Sequence, residues 1–113
     1  MAMILLPLMT NMKRAFHLLP WRAIRAIAFI QKHGADKHGP NTWQAIPKGL
    51  HLDACLSHIA HWAAGETIDA DTGHSHLWNA LTRLSYVVEQ EIMEDTMAVE
   101  IASLPIETES IQD

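Results

Sequence analysis

Two amphipathic runs separated by one short turn-rich segment restrict this chain more than any other feature. Leu52, Leu56, Ile59 and Ala63 lie along one stripe of a helix predicted over residues 49–64, and Gly65 follows in the position a C-capping glycine prefers. The segment GETIDADTG (65–73) cannot continue a helix, and Asp71 or Thr72 is placed to cap a further one over 73–100. In that helix Leu77, Leu81, Leu84, Val88 and Ile92 keep the helical period. Two helices joined by so short a connection pack antiparallel as an αα-hairpin. Upstream, Pro20 is suited to open a helix, and Trp21, Ile24, Ile27, Ala28 and Ile30 carry it over 20–33 until Gly34 stops it. The segment GADKHGPNTW (34–43) then reads as an ordered or functional loop with an Asx-type turn at Asn41. No window alternates with period two. The fold class is therefore all-α, a small helical bundle built around the hairpin.

A chain of 113 residues fits one domain with one core. The expected division is a flexible N-terminal arm (1–15), a single helical domain (16–100) and an acidic, loosely ordered tail (101–113). With 8 basic and 13 acidic residues and no run of Lys or Arg, the chain is not expected to bind nucleic acid. The apolar N-terminal MAMILLPLM is too short for a membrane span and has no basic residues before it, so neither a membrane partner nor a targeting signal is expected. Cys55 is the single cysteine, which rules out an intrachain disulfide and suits a reducing cytoplasm. Four tryptophans and much apolar surface in a short three-helix chain predict a homo-oligomer.

The stretch SHIAHWAAGETIDADTGHSHLWNA (57–80) holds four of the eight histidines, interleaved with Glu66, Asp69 and Asp71. Residues equidistant from the turn centre near Ile68 come level in a hairpin, so His58 is expected opposite His76 and Asn79. His51, Cys55, His58 and Trp62 share a stripe bordering the apolar one, His61 is rotated outward, and His76, Asn79, Ala80 and Arg83 share a stripe on the other helix. Two readings stand. In one, His58, Glu66, Asp69 and His76 hold a divalent cation or its water; without thiolates, the ligands must be imidazoles and carboxylates. In the other, the histidines are half-buried polar groups bonded across helices and the carboxylates solvate the turn. Elsewhere, Trp43 can stack a nucleobase or serve as core, Lys37 and His38 can meet phosphate or be simply solvated, and Cys55 reads as a small core residue.

Read in order, HLLP (17–20), GADKHG (34–39), NTW (41–43), the His58–Trp62 segment, GETIDADTG (65–73) and HL (76–77) form a series that resembles the phage and prophage family of dATP/dGTP diphosphohydrolase N-terminal domains, related in name to MazG-like pyrophosphohydrolases. The resemblance implies hydrolysis of a deoxypurine nucleoside triphosphate to monophosphate and pyrophosphate in the bacterial host cytoplasm. It implies Mg²⁺ or Mn²⁺ rather than Zn²⁺ as cofactor and a deoxynucleotide as ligand. His58, Glu66 and Asp69 are the catalytic residues it implies, and His58, Glu66, Asp69 and His76 the metal ligands; Lys37, Trp43, Asn79 and Arg83 are this chain's own candidates for the nucleotide contacts. The chain departs from the family pattern at Ser57, where an arginine is common, and at Asn79, where a second histidine is common. Those departures leave an alternative open: a catalytically silent relative that binds a nucleotide or a host protein. The MazG arrangement of an ExxE helix followed by an ExxD helix is absent, since Glu66–Asp69 precedes Glu91–Glu94 and falls in the turn.

Overall fold

A computed structural model of the chain describes residues 15–105. Most of the expected arm and all but the start of the expected tail lie outside the described residues. Three α-helices carry the fold: α1 (Trp21–His38), α2 (Lys48–Ala63) and α3 (His76–Ala102). Short 3-10 turns precede α1 at Phe16–Leu18 and join α1 to α2 at Thr42–Ala45. The class is all-α, and among the described residues the extended pairing is limited to one isolated bridge between Ile68 and Ser75. No helix among them is long and apolar enough to cross a membrane.

Helix α3 is the element on which the other two pack. The α2–α3 pair is antiparallel: Lys48, at the start of α2, pairs with Glu94 late in α3, whereas His58 meets His76 at the start of α3. Helix α1 docks on α3 through a Tyr86–Gln31 hydrogen bond and through Phe29, whose ring meets those of His74 and Trp78 edge-on at 4.8 and 6.1 Å.

Three boundaries differ from the sequence expectation. Helix α1 does not stop at Gly34 but continues to His38, so GADKH is helical rather than a loop. A glycine inside a helix costs only about 1 kcal/mol relative to alanine, and the exposed Lys32–Asp36 pair, 2.8 Å apart and one turn on, supports the continuation. The chain turns instead at Gly39, whose φ of 91° suits only glycine and whose N–H closes on the Ala35 carbonyl at 2.8 Å. No Asx turn forms at Asn41: it contributes tolerance of a left-handed φ of 62°, and its backbone carbonyl accepts from Gln44 N–H.

Helix α3 begins at His76, not at 73, and its cap is Ser75, whose Oγ accepts Leu77 N–H at 3.2 Å. Asp71 and Thr72 do not serve as caps because the residues before Ser75 are committed to closing the turn; Gly73 N–H, for example, donates to the Asp69 carbonyl at 2.8 Å. The helix then runs unbroken to Ala102, two residues beyond the expected end.

Burial is inverted relative to the hydropathy pattern. Among the described residues the fully buried apolar side chains are Ala26, Cys55 and Ala80, whereas the polar His51, His76, Asn79, Thr82 and Asp95 are buried as well. The stripe beginning at Leu52 faces outward, so the compact apolar core expected of one domain is not built by these helices alone.

Candidate functional site

The local sequence at the end of α2 assembles the first part of the site. Gly65 adopts φ 98°, its N–H donates to the Trp62 carbonyl and Glu66 N–H donates to the His61 carbonyl, each at 3.0 Å. This is the Schellman termination, and it folds the Glu66 side chain back beside the helix it follows. His61 Nδ1 lies 2.9 Å from Glu66 Oε2, and the His61 ring stacks on that of His76 with centroids 5.1 Å apart. One ligand atom each from His61, Glu66 and His76 falls within 4.8 Å of the others, a spacing that can enclose a cation.

His76 is the buried member of this cluster. Its Nδ1 lies 2.9 Å from Nδ1 of His58, so one nitrogen donates and the other accepts. Its Nε2 is buried with no hydrogen-bond partner among the described residues, 3.5 Å from Glu66 Oε1. If Nδ1 of His76 carries the proton and donates to His58, Nε2 is a bare lone pair aimed at the Glu66 carboxylate. That is the tautomer a metal ligand requires, with His58 fixing it from behind.

Asp69 stands apart from these ligand atoms. Its Oδ1 accepts Asp71 N–H at 3.2 Å and its Oδ2 accepts the Thr72 hydroxyl at 3.1 Å, while its backbone N–H donates to His74 O at 2.8 Å. Burial works against the ionised carboxylate, but these hydrogen bonds and the proximity of His58 and His76 outweigh it and hold the Asp69 pKa below the usual range. The structure thus uses Asp69 to close the turn that carries α3 to the cluster.

A cavity of about 170 Å³, lined by polar and apolar side chains, adjoins the turn. Lys37, Trp43, Asn79 and Arg83, predicted from separate parts of the chain as nucleotide contacts, all line it, as do Thr72 and His51. Asn79 donates to Thr72 Oγ1 at 3.1 Å and to Ser75 O at 3.0 Å, and Thr72 bonds Asp69, so the cavity wall and the turn form one network. His51, fully buried, donates from Nε2 to Trp43 O at 2.9 Å and accepts from Arg83 Nη1 at Nδ1, 3.1 Å away. Trp43 stacks on Tyr86 with ring centroids 4.7 Å apart. Burial raises the Tyr86 pKa, Arg83 opposing, and keeps the phenol a donor to Gln31.

His61 and His51 are the residues whose parts in the site the sequence reading did not assign. His61 is half exposed, as its outward rotation predicted, yet Glu66 bends back to it; the signal was the glycine cap one residue before Glu66. For His51 the stripe it shares with Cys55 and His58 was the signal. Cys55 is buried and burial raises its pKa, which fits the core role predicted for it.

Burial lowers the His58 pKa, with His76, Arg83 and His61 acting in the same direction and Asp69 against them. The folded protein thus binds this proton less well than the unfolded chain. The contribution of His58 to stability is complete above its unfolded value of about 6.5 and is lost as pH falls through the lower folded value. Melting temperatures of metal-free protein between about pH 8 and about pH 5 are expected to drop on acidification, with a shallower drop in His58→Gln. Equal slopes in the two proteins contradict the assignment.

An antiparallel helical hairpin with a His–Glu–His cluster at its turn, spaced so that it could hold a cation, and a cavity of mixed lining beside it together define this all-α protein. The sequence pattern of the family described as dATP/dGTP diphosphohydrolase, N-terminal, matches residues 9–99. The chain belongs to that family. Comparisons with curated proteins and with solved structures find no match.

Proposed function

We propose that this protein hydrolyses a deoxypurine nucleoside triphosphate to monophosphate and pyrophosphate with the help of a divalent cation, in the bacterial cytoplasm and in a phage or prophage setting. The family description supports the diphosphohydrolase activity. The observation that carries the cation is the buried Nε2 of His76, without a hydrogen-bond partner among the described residues and turned toward Glu66 and His61. The donors fit such an ion: two imidazoles and one carboxylate suit Mn²⁺ better than Mg²⁺, which demands oxygen ligands.

In this reading His61, Glu66 and His76 hold the cation. When bound, it polarises phosphoryl oxygens and lowers the pKa of a water molecule. His58 orients His76 by accepting its Nδ1 proton, which leaves His58 with its own proton on Nε2. It is then a donor toward a phosphate oxygen rather than a base, and Glu66 is the group left to take the proton of the attacking water. Asp69 holds the turn, and its negative charge faces His58 and His76. The cavity is too small for a whole nucleotide by the usual measure of roughly 300 Å³ or more for ligand pockets. It takes one part of the ligand, with Arg83 and Lys37 supplying charge and Trp43 a ring face.

A second reading, binding without turnover, draws on Asn79. Both observed bonds of its amide go to the protein itself, so the position that commonly holds a histidine in the family serves the turn here.

Calorimetric titration of metal-stripped protein with Mg²⁺, Mn²⁺ and Zn²⁺, alone and then with dATP or dGTP, separates the readings when the products are resolved by chromatography. Binding with release of monophosphate and pyrophosphate is the expected result. Binding of metal and nucleotide with no products establishes the silent relative, and no binding of either rejects both.

A further inference from the structure

The outward stripes of the hairpin share one spacing. On α2, Leu52, Leu56, Ile59 and Ala63 are separated by four, three and four residues. On α3, Leu77, Leu81, Leu84 and Val88 repeat that interval pattern over the same length. Alternation of three and four is the seam of helices that pack knobs into holes, and a seam of this kind is completed by another helix carrying its match. The fully buried side chains of the hairpin are instead mostly polar ones, His51, His76 and Asn79 among them. The seven larger side chains of the two seams remain between 38% and 56% exposed.

The face is also free of charge. Between Lys48 and Glu66 the only Asp, Glu, Lys or Arg is Asp53, and between Asp71 and Glu89 the only one is Arg83, which bonds inward to His51. Two adjacent, antiparallel, uncharged seams of equal length are self-complementary. A two-fold rotation lays α2 of one copy against α3 of the other and gives a bundle of four helices with an apolar centre.

We infer that a second copy of this chain covers this face. Two observations favour it over a different partner. Among the described residues the fully buried apolar side chains are Ala26, Cys55 and Ala80, far short of what a domain needs to offset its conformational entropy, so the cover must be present whenever the chain is folded. The chain itself meets that condition and carries matching seams. Pro7 interrupts the apolar N-terminal stretch, and a helix interior does not tolerate proline. The inference is independent of the hydrolase reading, because nothing in it requires a metal or a nucleotide.

Sedimentation equilibrium and circular dichroism of the full chain, free of metal and nucleotide, test it. The parent is expected to have the mass of two or more chains, with a melting midpoint that rises between about 1 and about 100 µM protein. Leu56→Ala and Leu84→Ala are each expected to weaken association by about tenfold or more. Leu50→Ala, at an exposed α2 position off the seam, is expected to leave it unchanged. A parent of single-chain mass with full helicity and a concentration-independent midpoint overturns the inference. So does a parent that associates while Leu56→Ala and Leu84→Ala associate equally tightly.

Discussion

His76→Ala is expected to abolish metal-dependent nucleotide binding while leaving helical content near that of the parent. The imidazole it removes is the buried member of the cluster, and its Nε2 has no hydrogen-bond partner among the described residues. Its loss therefore breaks one hydrogen bond, to His58, and opens a small space beside an exposed turn. Neither effect is enough to unfold a helix that both α1 and α2 support. The proposed metal site, in contrast, loses one of its three donors. His58→Ala is expected to act more mildly, lowering metal affinity by about 10- to 100-fold, because it removes the group that sets the His76 tautomer and not a donor. Calorimetry on the two variants, with circular dichroism as the control for folding, measures both effects. If both bind metal and nucleotide as the parent does, the hairpin histidines are structural.

His51→Ala should produce the largest loss of stability of any single substitution considered. His51 is wholly buried and joins three elements: α2 through its own backbone, the 3-10 turn through Trp43 O, and α3 through Arg83 and the ring of Tyr86, 5.0 Å away. Alanine leaves a cavity, deprives the Trp43 carbonyl of its His51 donor and leaves the half-buried Arg83 guanidinium without its His51 acceptor. A cost of about 2–4 kcal/mol follows from the cavity and the broken bonds together. Urea titration would register it as a lower midpoint at unchanged slope. A midpoint within error of the parent would mean that His51 is a passive filler. Because Trp43 and Arg83 both line the cavity, the same substitution should also weaken nucleotide binding, by a route distinct from that of His76→Ala.

How much of the site was legible differs from residue to residue. The meeting of His58 with His76 followed from their distances to the turn centre, since antiparallel helices of fixed rise leave little freedom in register. The glycine cap at 65 followed from residue type and position. Glu66 was expected in the site, but its pairing with His61 was not: helical phase points His61 outward, and only the reversal of the chain in the capping motif brings a carboxylate back to it. Asp69 carried the opposite ambiguity. A carboxylate in a turn can face a cation or close the turn, and local sequence cannot choose between these, because the choice depends on whether Thr72 and Asp71 present their donors. Gly34 misled because its cost inside a helix is small and distributed, whereas Gly39 stops the helix through a backbone angle that other residues rarely adopt.

By itself, the sequence determined the helical class, the antiparallel hairpin and the level at which its histidines meet, all of which depend on periodicity and chain connectivity over short distances. The tertiary structure alone decided which stripe of each helix faces inward. The fully buried side chains of the hairpin are mostly polar and the apolar stripes stay partly exposed, an outcome invisible to the periodicity of one helix, because amphipathicity states that two faces differ and leaves open which partner each will meet.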